Sequence, residues 1–177
     1  MRALGIAAVC VAALEIQAQD RPAEKLAPYY PTPEIVVEEM LRFGGLTAGE
    51  KMFDLGSGDG RIVVMAAQKF KADATGVELD ESLCRRSVDL IRSLGLSSTA
   101  RIIHGDLTKQ DYSSADLLTV YLLPISNDKV SPTLGKQLKK GARVVAHDFE
   151  FSKWTPVKTE EIDDEEGRVH QLYLYRR

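Results

Sequence analysis

Cysteine is scarce in this chain: two in 177 residues, Cys10 and Cys84. If the N-terminal segment carrying Cys10 is removed, Cys84 stands alone and no intramolecular disulfide can form. A single core in a chain of this length does not require such staples. An excess of one charge is also lacking. The formal net charge is −3, from 23 Lys and Arg against 26 Asp and Glu. A nucleic-acid footprint would be basic and clustered, so no nucleic-acid partner is expected. Histidines are few, and His104 and His170 have no neighbours at metal-ligand spacing, so no metal site is expected. No internal repeat and no low-complexity stretch occurs. The apolar run from Ala3 to Leu14 is too short to cross a bilayer comfortably, which takes about 20 residues.

What is present is a composition 44% hydrophobic, enough for one core and one domain. The N-terminus is set apart from it. Met1-Arg2 is followed by that apolar run, then by Ile16-Gln17-Ala18 and polar Gln19-Asp20-Arg21-Pro22. A positive start, a short apolar stretch and a small residue before a cut read as an export signal over residues 1–18. An exported or periplasmic location follows. An uncleaved inner-membrane anchor, which would then be the chain's only membrane contact, and an ordinary helix are the alternatives. Cys10 lacks the leucine of a lipoprotein box before it. Residues 19–28 read as a linker, and residues 29–177 as the folded domain.

Thr32 suits an N-cap and Pro33 the first helical position. Val36, Met40 and Phe43 recur at helical spacing until Gly44-Gly45 stops the helix. Strands are expected at about Lys51 to Leu55, Ala74 to Leu79, Arg101 to His104, Leu117 to Leu122 and Ala142 to Ala146. Helices fill the gaps at about Arg61 to Phe70, Glu81 to Leu94 (capped by Asp80) and Asn127 to Leu138. Thr155 to Ile162 and Val169 to Tyr175 form a hairpin around an acidic turn. Strands alternating with helices give an α/β fold, a three-layer Rossmann-like sandwich. Its sheet is mainly parallel and seven-stranded, with an antiparallel hairpin at the C-terminus.

The stretch that carries chemistry is Phe53-Asp54-Leu55-Gly56-Ser57-Gly58-Asp59-Gly60, with Glu78 following 18 residues after Gly60. An apolar strand runs into a glycine turn, a helix follows, and a second strand ends in a carboxylate. This is the layout of a nucleoside-binding unit. The dinucleotide spacing Gly-x-Gly-x-x-Gly would need a glycine at Arg61. Glycines at 56 and 58 let backbone approach a ligand. Glu78 can accept from both ribose hydroxyls, and Asp54 can attract a cation. A ligand that combines ribose, cation and carboxylate is S-adenosylmethionine.

The order of Asp54 to Gly60, Glu78, Gly105-Asp106 and Val120-Tyr121-Leu122-Leu123-Pro124 resembles the class I, seven-strand, S-adenosylmethionine-dependent methyltransferases. Pro28-Tyr29-Tyr30-Pro31-Thr32-Pro33, Tyr121-Leu122-Leu123-Pro124 and His147-Asp148-Phe149 with Trp154 look, more narrowly, like the small bacterial relatives of the mitochondrial ATP synthase c-subunit lysine methyltransferase. The resemblance implies N-methylation of lysine in a protein partner. It implies that Asp54, Gly56, Ser57, Gly58 and Gly60 line the methionine end of the cofactor, that Glu78 holds the ribose, and that Leu79 and Asp106 meet adenine.

Tyr121 stands where many amine-methylating members of the class carry the Asn or Asp of an Asn/Asp-Pro-Pro-Tyr motif. Its hydroxyl can orient an amine, or its ring can serve the core. His147 and Asp148 end the next strand and are candidates to bind or deprotonate substrate. Tyr29 and Tyr30 can fold over the cofactor, wall a substrate lysine or simply pack. Arg61 opens a helix, where a cation is unfavourable, so it should have a partner in Asp59 or the cofactor carboxylate. Competing readings are a methyltransferase for a small molecule, a non-catalytic cofactor-binding module and a nicotinamide oxidoreductase.

Overall fold

The computed structural model describes residues 26–177. The export segment, Cys10 and most of the expected linker lie outside the described residues. Seven strands form one sheet in the order β3-β2-β1-β4-β5-β7-β6. They are β1 (Lys51–Leu55), β2 (Asp73–Glu78), β3 (Ala100–His104), β4 (Leu117–Val120), β5 (Arg143–His147), β6 (Lys158–Asp163) and β7 (Val169–Arg176). The first five pair in parallel, while β7 runs antiparallel to both β5 and β6.

Neighbouring strand residues face opposite layers, as the pleat requires. Met52, Leu117 and Val145 belong to a core with the helices α1 (Glu34–Phe43), α2 (Arg61–Gln68) and α3 (Glu81–Ser93). Leu55, Leu118 and Val144 belong to a second core on the other face, closed by α4 (Pro124–Gln137) and by Tyr112, Phe151 and Tyr175. The central strands are buried on both sides; all four residues of β4 are covered. That burial is why β4 is apolar apart from Thr119.

Local chemistry sets most boundaries. Asp80 Oδ1 accepts from the amides of Ser82 and Leu83 at the start of α3, worth about 1 kcal/mol for such a cap. Two helix starts differ from expectation. Pro33 occupies the N-cap position of α1 with no side-chain cap. Thr32 does not cap; its Oγ1 faces His147 Nδ1 at 3.5 Å instead. A contact 115 residues away in sequence outcompetes the local one. Helix α4 begins at Pro124, three residues before the expected Asn127. The extended Leu123 and a proline in the first turn are the signals for this start, and strand β4 accordingly ends at Val120.

Candidate active site

The parallel register brings the C-terminal ends of β1 to β4 to one rim: Leu55 lies opposite Val77 and Val120, and Glu78 opposite His104. Strand order reverses between β1 and β4, with β2 and β3 laid down on one side and β4 and β5 on the other, the switch point where such sheets bind ligands. A cleft of about 840 Å³, part of it open to solvent, occupies that point. It is of the size that takes a cofactor. Asp54, Gly56, Ser57, Gly58, Glu78, Leu79, Asp106 and Tyr121 all line it.

Glu78 is the best held of these. Its Oε2 accepts from the Gly58 amide at 2.8 Å, and its Oε1 from the amides of Leu79 and Asp80 at 2.9 and 2.8 Å. Three backbone donors fix the carboxylate at the tip of β2 before any ligand arrives. Gly58 has φ +53°, and a Cβ there would stand 2.8 Å from the ring of Tyr29. Glycine is therefore required by both backbone and space.

Asp54 is buried and accepts from Thr119 Oγ1 at 2.8 Å. Burial pushes its carboxyl up to about 7, only partly opposed by that hydrogen bond. A buried carboxylate in this state favours a cationic neighbour. Ser57 lines the cleft too, and its buried Oγ, seated against Gly76, has no hydrogen-bond partner. Asp106 holds two positions at once. Its Oδ1 caps the 3-10 turn Leu107–Lys109 through the amide and hydroxyl of Thr108, while the residue lines the cleft.

Gly60 does not line the cleft. It caps α2 with φ +80°, and a Cβ there would come within 2.9 Å of Ser87 Cβ. Its role is close approach between α2 and α3. His147 is fully buried and also stands outside the lining, behind the Tyr121 ring at 3.9 Å between centroids. Burial pushes it down to about 4, so it is neutral. A buried ring screened by Tyr121 does not reach a substrate in this arrangement. Asp148 likewise faces inward. Its Oδ2 accepts from Tyr121 Oη at 3.2 Å and Arg168 at 3.0 Å, and its Oδ1 accepts from the Gln171 amide.

Sequence reasoning missed several neighbours of the cleft. Residues 26–32 form a strap along it, so the last three residues of the expected linker belong to the site. Tyr29 and Tyr30 lie in this strap, 41% and 59% exposed. The strap is tied at both ends: Ser126 Oγ donates to the Leu26 carbonyl, and Arg61 donates to the Thr32 carbonyl at 2.7 Å. Arg61 also grips Asp59 with two guanidinium nitrogens, so its partner is the aspartate of the turn. Arg168, from the acidic hairpin turn, pairs with Asp148 and lies over the Tyr30 ring at 5.7 Å. His170 is buried, 1% exposed, whereas His104 sits exposed at the rim with its Nε2 3.0 Å from the Leu79 carbonyl.

Carboxylates at Asp54, Glu78 and Asp106, glycine-turn amides and the apolar walls of Val77, Leu79, Leu83 and Leu107 form a donor set that fits an adenosyl ligand with a cationic tail. Fold and cleft together define a class I methyltransferase, an enzyme that uses S-adenosylmethionine. Residues 54–158 match the ANTKMT methyltransferase domain, and the chain belongs to that family. It is 39% identical over 150 residues to a protein-lysine N-methyltransferase of Saccharolobus islandicus (strain REY15A), covering 84% of this chain and 92% of that protein. It is 32% identical to the ATP synthase c-subunit lysine N-methyltransferase of Mus musculus, covering 75% of this chain and 53% of the mouse protein. The chain thus spans about half of the mouse enzyme's length. Among solved structures it resembles an RNA methyltransferase from Salinibacter ruber in complex with S-adenosyl-L-homocysteine. The TM-score is 0.77 and the identity 37%, over 83% of this chain and 93% of that one.

Proposed function

We propose that this enzyme methylates the side-chain amine of lysine in a protein. The observation that carries the reading is the Saccharolobus islandicus protein-lysine N-methyltransferase, matched at 39% identity over 92% of its length. The rim agrees with it. Tyr29, Tyr30 and Tyr121 line the cleft, and Phe149 lies parallel to Tyr121 at 6.2 Å. Aromatic faces suit the alkyl stem and the cationic head of a lysine.

Bound S-adenosylmethionine supplies an electrophilic methyl carbon, so the chain's residues need to align the amine and keep water out. Tyr121 Oη donates a hydrogen bond to Asp148, which leaves its oxygen lone pairs to accept from an incoming amine N–H. Asp148 keeps the ring turned that way and is itself neutralised by Arg168. The acceptor at Tyr121 orients the nitrogen lone pair, and partial desolvation in the cleft favours the neutral amine that must attack.

A second reading, RNA as substrate, draws on the description of the Salinibacter ruber relative. It is weighed down by the slight acidity of the chain and by Tyr121-Leu122-Leu123-Pro124 in place of an Asn/Asp-Pro-Pro-Tyr motif. The test offers labelled S-adenosylmethionine to the full chain with cell protein and cell RNA side by side. Label in protein, located by mass spectrometry on lysine, is expected; label in RNA alone refutes the lysine reading. From the composition of residues 1–18 we also place the enzyme outside the cytoplasm, which cell fractionation of a C-terminally tagged chain tests.

A further inference from the structure

The two buried imidazoles take no direct part in the cleft, yet they are joined end to end. His147 Nε2 lies 2.8 Å from His170 Nδ1, and His170 Nε2 lies 3.1 Å from Asp164 Oδ2. At the far end, His147 Nδ1 lies 3.5 Å from Thr32 Oγ1, the longest link. Both rings are at most 1% exposed, on the neighbouring strands β5 and β7.

Between neutral rings, the donor and acceptor inventory gives this chain one direction. Asp164 sits in the acidic turn, held below the usual carboxylate range first by the Arg168 amide and then by His170. An ionised carboxylate only accepts, so His170 carries its proton on Nε2. Its Nδ1 must then accept, which puts the proton of His147 on Nε2. The remaining His147 Nδ1 accepts, and the Thr32 hydroxyl is the donor that faces it. We infer that His147 and His170 are positioning residues: a one-way hydrogen-bond chain from Asp164 that fastens Thr32, and through it the strap, over the cofactor cleft. The inference rests on the cleft being the cofactor site, not on the identity of the methyl acceptor.

Charged groups face the pair from the ends of both strands. Asp148, at the end of β5, reaches within 3.5 Å of both imidazoles, but Arg168 and Tyr121 occupy its Oδ2 and Gln171 its Oδ1. Burial opposes a proton on His147; the Asp148 carboxylate favours one, and the second ring and the Arg168 cation oppose it. His147, Asp148 and His170 also have the makings of a cation site, since their ligand atoms lie within 4.8 Å of one another. Two zinc–nitrogen bonds at a tetrahedral angle hold their nitrogens about 3.3 Å apart. The observed 2.8 Å is the length of a shared proton, and the guanidinium of Arg168 already serves the carboxylate.

Nitrogen-15 NMR of the full chain, labelled in its three histidines, reads the tautomers directly, with His104→Gln identifying the signals of the third ring. Both buried rings are expected as neutral Nε2–H tautomers at pH 7. In Asp164→Asn the amide can donate as well as accept, so mixed tautomers should appear. Calorimetry with S-adenosylmethionine then reads the coupling: Thr32→Val should weaken binding about tenfold, the scale of one lost hydrogen bond, and Thr32→Ser should restore it. An Nδ1–H tautomer or a charged ring in the wild-type protein at pH 7 overturns the inference. So does a bound metal ion in the purified chain, or unchanged affinity in Thr32→Val. None of these readouts depends on whether lysine or RNA accepts the methyl group.

Discussion

Gly58 and Glu78 are bonded to each other: the glycine amide donates to carboxylate Oε2 at 2.8 Å, tying the turn after β1 to the tip of β2. Each half of the nucleoside-binding unit therefore holds the other in shape. Glu78→Gln tests this with little change in volume. A carboxamide has one accepting oxygen where the carboxylate has two, so its NH2 must face either the Gly58 amide or those of Leu79 and Asp80. Affinity for S-adenosylmethionine should fall at least about tenfold, as expected when a charged acceptor loses its role in a buried site. Calorimetry giving the wild-type affinity would remove Glu78 from the ribose site.

Gly60 leads to the opposite expectation. It stands in the left-handed region at φ +80° and its space is filled by Ser87 of α3. Alanine there costs about 1–2 kcal/mol in backbone conformation, before any clash. That corresponds to a fall in Tm of about 2–8 °C for a chain of this size. Thermal unfolding of the cofactor-free Gly60→Ala variant measures it. An unshifted Tm would mean that α2 and α3 are not pressed together through this residue.

Those two glycines mark how far the sequence could be read. Glycine spacing announced a turn, and the carboxylate at Glu78 announced what the turn was for, because both signals are local. Asp80 as a cap and the apolar run of β4 were legible for the same reason. Nothing local separates Gly60, which serves a helix contact, from Gly58, which serves the cleft, since a +φ position looks alike in either case. Thr32 was read as a cap because only its neighbours were visible; its partner is His147, on a strand 115 residues away. His170 looked unattached until β7 inserted between β5 and β6 and set it beside His147. Arg168 follows an acidic turn, and nothing local ties it to Asp148, 20 residues earlier. What stayed illegible was made by strand order.

Tyr121→Phe separates binding from turnover. The hydroxyl donates to Asp148 and stands at the rim, while the ring packs on His147 at 3.9 Å. Phenylalanine keeps the ring and removes the oriented oxygen. Turnover should fall about 10–100-fold, the scale of one lost hydrogen bond to a group that becomes charged, with affinity for S-adenosyl-L-homocysteine within about threefold of wild type. Single-turnover methyl transfer paired with calorimetry makes the comparison. A wild-type rate would reduce Tyr121 to a packing residue.

Asp54 supplies a pH dependence whose sign can be worked out. Its carboxyl is raised from 3.8 to about 7 in the folded, cofactor-free protein, chiefly by burial. The folded state therefore binds the proton more tightly than the unfolded chain does. Its contribution to stability is full below about pH 3.8, falls as pH rises, and is lost above about pH 7. Asp54→Asn should flatten that part of the profile. Cofactor binding runs the other way. A ligand bearing sulfonium and ammonium charge favours the ionised carboxylate, so affinity should climb as pH rises towards about 7 and level off above. Below that plateau, binding should release a proton, seen as a calorimetric enthalpy that varies with the ionisation enthalpy of the buffer. In Asp54→Asn the affinity should be weaker and the proton release absent. An Asp54→Asn profile that still climbs over the same window would assign the titration to another group and leave Asp54 to the hydrogen bond from Thr119 alone.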